Sequence, residues 1–459
     1  MDIFSRTIHS IETTNETLTG RGGLVLLNKY YENIGIFEIF EEKFGNLRIS
    51  NKSLPVSCLF KQVFHWLNDG TSRHLSYFDT LKKDEGYAGA IELPLSLLAS
   101  SHMIKRFFKK FNWAHQNSFR AILKDLFVWR LNTEQPEVIN LTIDTMVMDN
   151  DEAEKRQGVT PSYKKVKGFQ PLQVIWEGRI IDAIFRGGKK NGNHGTTVIN
   201  MLTDLVATIR KRYKGDVPII VRMDSGFFDI SNFAALDALG VGFIASGKMY
   251  STVHEYVACS NIIWDQYDND KQTWQYTEFG FTCEKWHVFY RAFYTKPIYE
   301  GKQMLLDFAR PENVILTNLG VNQQIFSEQQ SDMAIHYESP QAIINGHHQR
   351  GADELPHRGL KDFGFEQLPF KNFHQNSAMY YCMVTAFFLF ETFKRDILHE
   401  VISITSYATT IRRRFIDFAA KIIKKQGKLI LKVPKAVMKS CKVDLLLKKL
   451  QTLHLPLIA

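Results

Sequence analysis

The run VINLTID, residues 138–144, sets an apolar, largely β-branched stretch directly before an aspartate, and IIVRMD at 219–224 repeats the device. Short apolar runs of this composition predict buried strands. If the two lie side by side and parallel, Asp144 and Asp224 project from neighbouring strand ends. Taken singly, an aspartate at a strand end is more often a turn former or a helix cap. A third acid, Glu354, lies in HHQRGADELPHRGLK, residues 347–361. On one ideal helix His347, Arg350, Glu354 and Lys361 fall at about 60°, 0°, 40° and 20°, a single narrow stripe. A carboxylate between two fixed cations suits a metal-binding acid beside phosphate-gripping bases. Pro356 should kink that helix, and Gly351 and Gly359 weaken it. An exposed charged helix with an Arg350–Glu354 pair fits the spacing at least as well. Strand-Asp, strand-Asp, helix-Glu can nevertheless place three carboxylates around two Mg²⁺ ions, with Mn²⁺ able to substitute. Such a pair drives in-line attack on a phosphodiester.

Working outward, Leu172–Trp176 and Arg179–Phe185 flank Glu177-Gly178, a hairpin signal. Thr196–Arg212 reads as a helix and Phe243–Ala245 as a short strand. The order β, β-hairpin, α, β, α, β predicts, by analogy, an α/β ribonuclease-H-like catalytic core whose first part spans 136–250. Residues 1–135 read as an N-terminal helical DNA-binding domain, with helical spacing near 56–67, 103–112 and 118–131. Within Met103–Phe111, Lys105, Arg106, Lys109 and Lys110 oppose Ile104, Phe107, Phe108 and Phe111. That amphipathic basic helix fits a DNA groove, or equally a core helix with a solvated face. Aromatic-rich residues 251–340 predict a β-rich insertion, and 341–400 return to helix as the second part of the core, carrying Glu354. Residues 401–459 read as a basic, mainly helical C-terminal segment for DNA binding or dimerisation, with one strand-like stretch at Lys428–Val433.

The charge balance agrees with an anionic partner. The chain of 459 residues has a net charge of +9 and a pI near 9.1. Residues 401–459 alone hold 13 Lys/Arg against Asp417 and Asp444, so the rest of the chain is close to neutral. Such a segment fits nucleic acid, where phosphate contacts release counterions. A hydrophobic content of 44% excludes a disordered or fibrous class. Five scattered cysteines without a C-x-x-C pair argue against structural zinc or a disulfide framework. The longest apolar stretch, Ala378–Phe390, predicts a buried helix rather than a membrane span. No signal peptide is evident at the N-terminus.

At this point several ordered motifs resemble a family. His347-x2-Arg350-x3-Glu354-x6-Lys361 is similar to the Y-x2-R-x3-E-x6-K signature of bacterial insertion-sequence transposases with a DDE catalytic core. RMDSGFF around Asp224 resembles their second-aspartate motif, YKKVKGFQPLQV at 163–174 the hairpin after their first aspartate, and KKNGNHG at 189–195 the following loop. The resemblance implies a cut-and-paste transposase in which Asp144, Asp224 and Glu354 hold the metals. Arg350 and Lys361 would contact DNA phosphates near the cut. His347 stands where the family has tyrosine, so its DNA contact has a different reach. The resemblance further implies terminal inverted repeats and target DNA as partners, a homodimer holding two ends, and a cytoplasmic, nucleoid-associated bacterial protein. Asn193 and His194 precede a predicted helix and are lesser candidates for the site. Two other readings share these residues: a metal-dependent nuclease without strand transfer, and a non-catalytic DNA-binding derivative.

Overall fold

The computed structural model describes residues 8, 10–48, 50, 53–153, 155–190, 192–268, 272–284, 286–298, 312–349, 354–453 and 457. The chain divides into two compact units. One comprises Phe111–Lys361 with Phe365–Phe388, and the other Met1–Lys110, Asp362–Gly364 and Leu389–Ala459.

The first unit is built on a nine-stranded mixed sheet among the described residues. Its strands are β1 (Ile139–Thr145), β2 (Leu172–Trp176), β3 (Arg179–Ile184), β4 (Ile219–Met223), β5 (Gly242–Ser246), β6 (Asp265–Asp268), β7 (Thr273–Phe281), β8 (Tyr290–Pro297) and β9 (Asn313–Thr317). The spatial order is β6-β7-β8-β9-β5-β4-β1-β2-β3. β1, β4 and β5 are mutually parallel, and β2 runs antiparallel to β1. Both faces of these central strands are covered, which is why they read as near-continuous apolar runs. The Glu177-Gly178 turn has both residues at positive φ, 49° and 78°. That backbone matches the twist of a two-residue hairpin, so the hairpin signal is realised.

Residues 251–340 contribute four strands among the described residues. β6 to β9 extend the same sheet, with β9 antiparallel to β5 through Leu316 and Ala245. The exposed edge of β5 would otherwise present unpaired backbone groups. One apolar cluster joins Val138, just before β1, with Ile220 and Ile244 of the central strands to Tyr276, Phe293 and Ile315 of the extension.

Helices α1 (His115–Glu134), α2 (Thr197–Arg212), α3 (Ile230–Ala238), α4 (Pro340–Gln349), α5 (Glu354–Phe363) and α6 (Phe373–Asp396) follow in sequence order. α1 belongs with the sheet and not with the N-terminal helices. Its Arg120 grips Asp182 of β3 through two bonds of 2.8 and 2.7 Å, and Phe127 meets Trp176 edge-on at 5.3 Å. α6 contains the apolar stretch 378–390, which is buried throughout. No described helix is long and apolar enough to cross a membrane.

The second unit gathers helices Leu24–Ile34, Ile36–Phe44 and Val56–Asp69 around Tyr31, Phe37, Phe40, Phe60 and Phe64. The N- and C-terminal segments thus share one unit. Arg412 donates to the carbonyls of Leu67 and Asn68 at 2.7 and 2.9 Å, satisfying the end of the third helix. The C-terminal segment is less helical than expected. Ala420–Lys425 and Lys428–Lys432 form a hairpin that pairs with Leu18–Thr19, followed by short helices Lys435–Ser440 and Val443–Thr452. The basic helix near 103–112 runs Ser101–Phe108, capped by the Ser100 side chain. It buries Ile104, Phe107 and Phe108 and exposes Lys105, Arg106 and Lys109. Lys110 lies past its end and donates to the Leu47 carbonyl at 2.7 Å, so it is not part of the exposed stripe.

Candidate functional site

β1 and β4 pair in parallel register with Ile143 opposite Met223. Asp144 and Asp224 therefore occupy corresponding next positions on strands about 4.8 Å apart. Alternation along each strand sends both side chains to the same side. Thr145 N donates to Asp144 Oδ1 at 2.6 Å, and Gly226 N donates to Asp224 Oδ1 at 2.8 Å. The second bond makes Asp224 the cap of the Ser225–Phe227 turn, so here a capping role and a place at the sheet edge coincide.

Glu354 opens α5 and is exposed. Pro356 is the third residue of the helix as described, and the residues before Glu354 lie outside the described ones. α4 ends at Gln349, and Arg350, together with 351–353, lies outside the described residues. His357, one turn after Glu354, is buried, with Nδ1 3.8 Å from Asp144 Oδ2. Burial, with Lys361 and Lys164 adding to it, pushes the imidazole down to about 4. It is neutral near pH 7, and at that distance the contact is packing beside the carboxylate rather than an ion pair.

The three acids share one neighbour. Tyr163 is raised above its ordinary value by burial and then by the charges of Asp144, Asp224 and Glu354, in that order. A single phenol is thus within electrostatic reach of all three. Among the described residues, no three His, Cys, Asp or Glu side chains already form a single-ion cage. A pair of Mg²⁺ ions does not require one, because each ion keeps several waters and takes one or two carboxylates plus substrate phosphate. Hard oxygens at two neighbouring strand ends and solvent access at Glu354 fit that donor set.

The other expected residues are placed differently. Lys361 pairs with Glu366 at 3.0 Å. His347 is buried, with Nε2 2.9 Å from Ser246 Oγ at the end of β5. It joins α4 to the sheet and does not present a free face to DNA. Asn193 donates to Asp229 at 3.0 Å and accepts from Asn232 at 3.1 Å, holding its loop against the segment after Asp224. His194 Nε2 lies 2.6 Å from Lys190 Nζ. Tyr163 and His357 were not singled out by sequence reasoning. His357 carries a signal in its position three residues after Glu354, which puts it on the adjoining turn.

No curated protein matches the chain. A cryo-EM structure of a piggyBac transposase synaptic complex with hairpin DNA is similar at 12% identity and a TM-score of 0.41, covering 88% of this chain and 83% of that one. The family model for the transposase DDE domain, group 1, matches residues 3–455, and the chain belongs to that transposase family.

Proposed function

We propose that this transposase cuts DNA at the terminal inverted repeats of its element and joins the freed 3′-OH ends to target DNA, with Asp144, Asp224 and Glu354 as metal-binding acids. The observation that carries this reading is the parallel register of β1 and β4, Ile143 opposite Met223, which sets Asp144 and Asp224 at neighbouring strand ends. The core would be ribonuclease-H-like. The order β3-β2-β1-β4-β5, with only β2 reversed, supports that assignment. Two divalent ions, Mg²⁺ or Mn²⁺, would activate water or a DNA 3′-OH and stabilise the leaving oxygen. The chain's own part is to hold the acids in register. β1 and β4 hold the aspartates at the ends of neighbouring strands, and α5 would bring Glu354 to them. Lys361 would exchange Glu366 for a DNA phosphate. Arg350 is proposed for the same role on its motif position alone. Lys105, Arg106 and the exposed lysines of the Ala420–Lys432 hairpin would grip DNA away from the cut, and a homodimer would hold two ends.

The test is cleavage of an element-end duplex in Mg²⁺ by Asp144→Asn, Asp224→Asn and Glu354→Gln. Each should lose at least about a thousandfold in rate while DNA affinity is kept, the scale on which removing a charge-stabilising group acts. Cleavage at wild-type rate by any one of them removes that residue from the site. Cut ends left unjoined when target DNA is supplied would favour the nuclease.

A further inference from the structure

Beside the acids stands a feature with no assigned role. After β1 the chain forms a small three-stranded ribbon of Met148–Asp149, Lys167–Phe169 and Thr160–Pro161. Its tip carries Tyr163, Lys164 and Lys165, all exposed. The tip is held in shape: Ser162 donates to the Val166 carbonyl from both N and Oγ at 2.9 Å, and Lys165 N donates to Ser162 O at 3.0 Å. Lys165 adopts a φ of +63°, which lets the turn close. The ribbon is anchored behind by Lys189 N donating to Thr160 Oγ1 at 2.8 Å.

The ribbon begins at Met148, four residues after Asp144, so it is tied directly to the strand that carries the first acid. Tyr163 is within electrostatic range of all three acids, and Lys164 of His357, itself 3.8 Å from Asp144. Yet the Tyr163 ring is 63% exposed, with Lys164 Nζ 5.8 Å from its centroid. An aromatic left in water on a rigid turn, flanked by two lysines, is not serving a core. A DNA phosphate entering a field of three carboxylates is repelled. Among the described residues, Lys361 is engaged by Glu366, whereas neither Lys164 nor Lys165 has an ion-pair partner.

We propose that the Ser162–Val166 tip is a DNA-strand contact, Tyr163 packing on the nucleobase beside the scissile phosphate and Lys164 and Lys165 pairing with flanking phosphates. The inference rests on the reading of Asp144, Asp224 and Glu354 as the cutting site. Base–aromatic packing is indifferent to sequence because every base has a π-face, so it can serve both element end and target.

The test uses the full chain with an element-end duplex in Ca²⁺, so that binding is read apart from cutting. A 2-aminopurine next to the scissile phosphate should be quenched by wild type and Tyr163→Phe but not by Tyr163→Ala. The double variant Lys164→Ala/Lys165→Ala should flatten the slope of log affinity against log salt by about 2, one counterion per lost phosphate contact. In Mg²⁺, Tyr163→Ala should cut roughly tenfold more slowly. Asp144→Asn is the control: it should stop cutting and keep both the quench and the slope. Quench and slope unchanged in the tip variants would overturn the contact while leaving the acids in place. Full cutting by Asp144→Asn would instead overturn the assignment of the acids.

Discussion

His357 Nδ1 lies 3.8 Å from Asp144 Oδ2, which ties the helix opened by Glu354 to the strand that carries the first aspartate. Glu354 itself is exposed, so its position depends on how α5 is seated. His357→Ala leaves a void at that seat and lets the carboxylate drift. Cleavage should fall roughly tenfold or more, because small misplacements of a reacting group are costly. DNA affinity measured by anisotropy should stay within about twofold. Unchanged cleavage would show that His357 does not position Glu354.

Arg179 is fully buried and grips Glu134 through two bonds of 2.5 and 2.8 Å, with Trp176 against its guanidinium at 4.4 Å. Arg179→Ala should cost about 2–5 kcal/mol, because it empties a fully buried site and removes both bonds, even though Arg130 still pairs Glu134 at 2.8 Å. Arg179→Lys should recover little of that, since an ammonium cannot reproduce the paired fork. Denaturant midpoints of the three proteins decide the point.

Gly168 tests the ribbon. A Cβ there would sit 2.0 Å from the Met148 carbonyl oxygen, a backbone atom that cannot swing aside. Gly168→Ala should destabilise by roughly 1–3 kcal/mol and loosen the tip that carries Tyr163. Thermal melting alongside the 2-aminopurine quench would register both effects.

His65 gives the second unit a pH dependence. Buried, with Nδ1 2.7 Å from the Lys61 carbonyl, it is pushed by desolvation from 6.5 down to about 3. The unfolded chain binds a proton below 6.5 that the folded chain refuses until near 3. The stabilisation is therefore complete above 6.5 and shrinks as pH falls toward 3. About 3 kcal/mol should be lost between pH 7 and pH 4. His65→Gln should flatten that part of the stability profile, and an equally steep profile in the variant would assign the loss to other groups.

The central strands were legible because local composition and burial agree there. The runs ending at Asp144 and Asp224 and the Glu177-Gly178 turn each carry their signal in consecutive residues. Pairing between distant segments leaves no such trace. Nothing local in Asn313–Thr317 says that it joins Gly242–Ser246, nor in Leu18–Thr19 that it joins Ala420–Lys425. The spacing of His347 with Arg350, Glu354 and Lys361 suits a shared polar stripe, whereas α4 buries His347 against Ser246, a contact from a distant strand that leaves no local trace. Tyr163 was visible only as part of the YKKVKGFQPLQV motif, because nothing local says that the turn leaves it exposed at a ribbon tip.

The most direct measurement is a titration of Mn²⁺ into the complex with element-end DNA, followed by electron paramagnetic resonance. Two bound ions per active site are expected for the wild type, with at least one lost in Asp144→Asn. Equal Mn²⁺ stoichiometry and affinity in the two proteins would contradict an ion pair held by these acids.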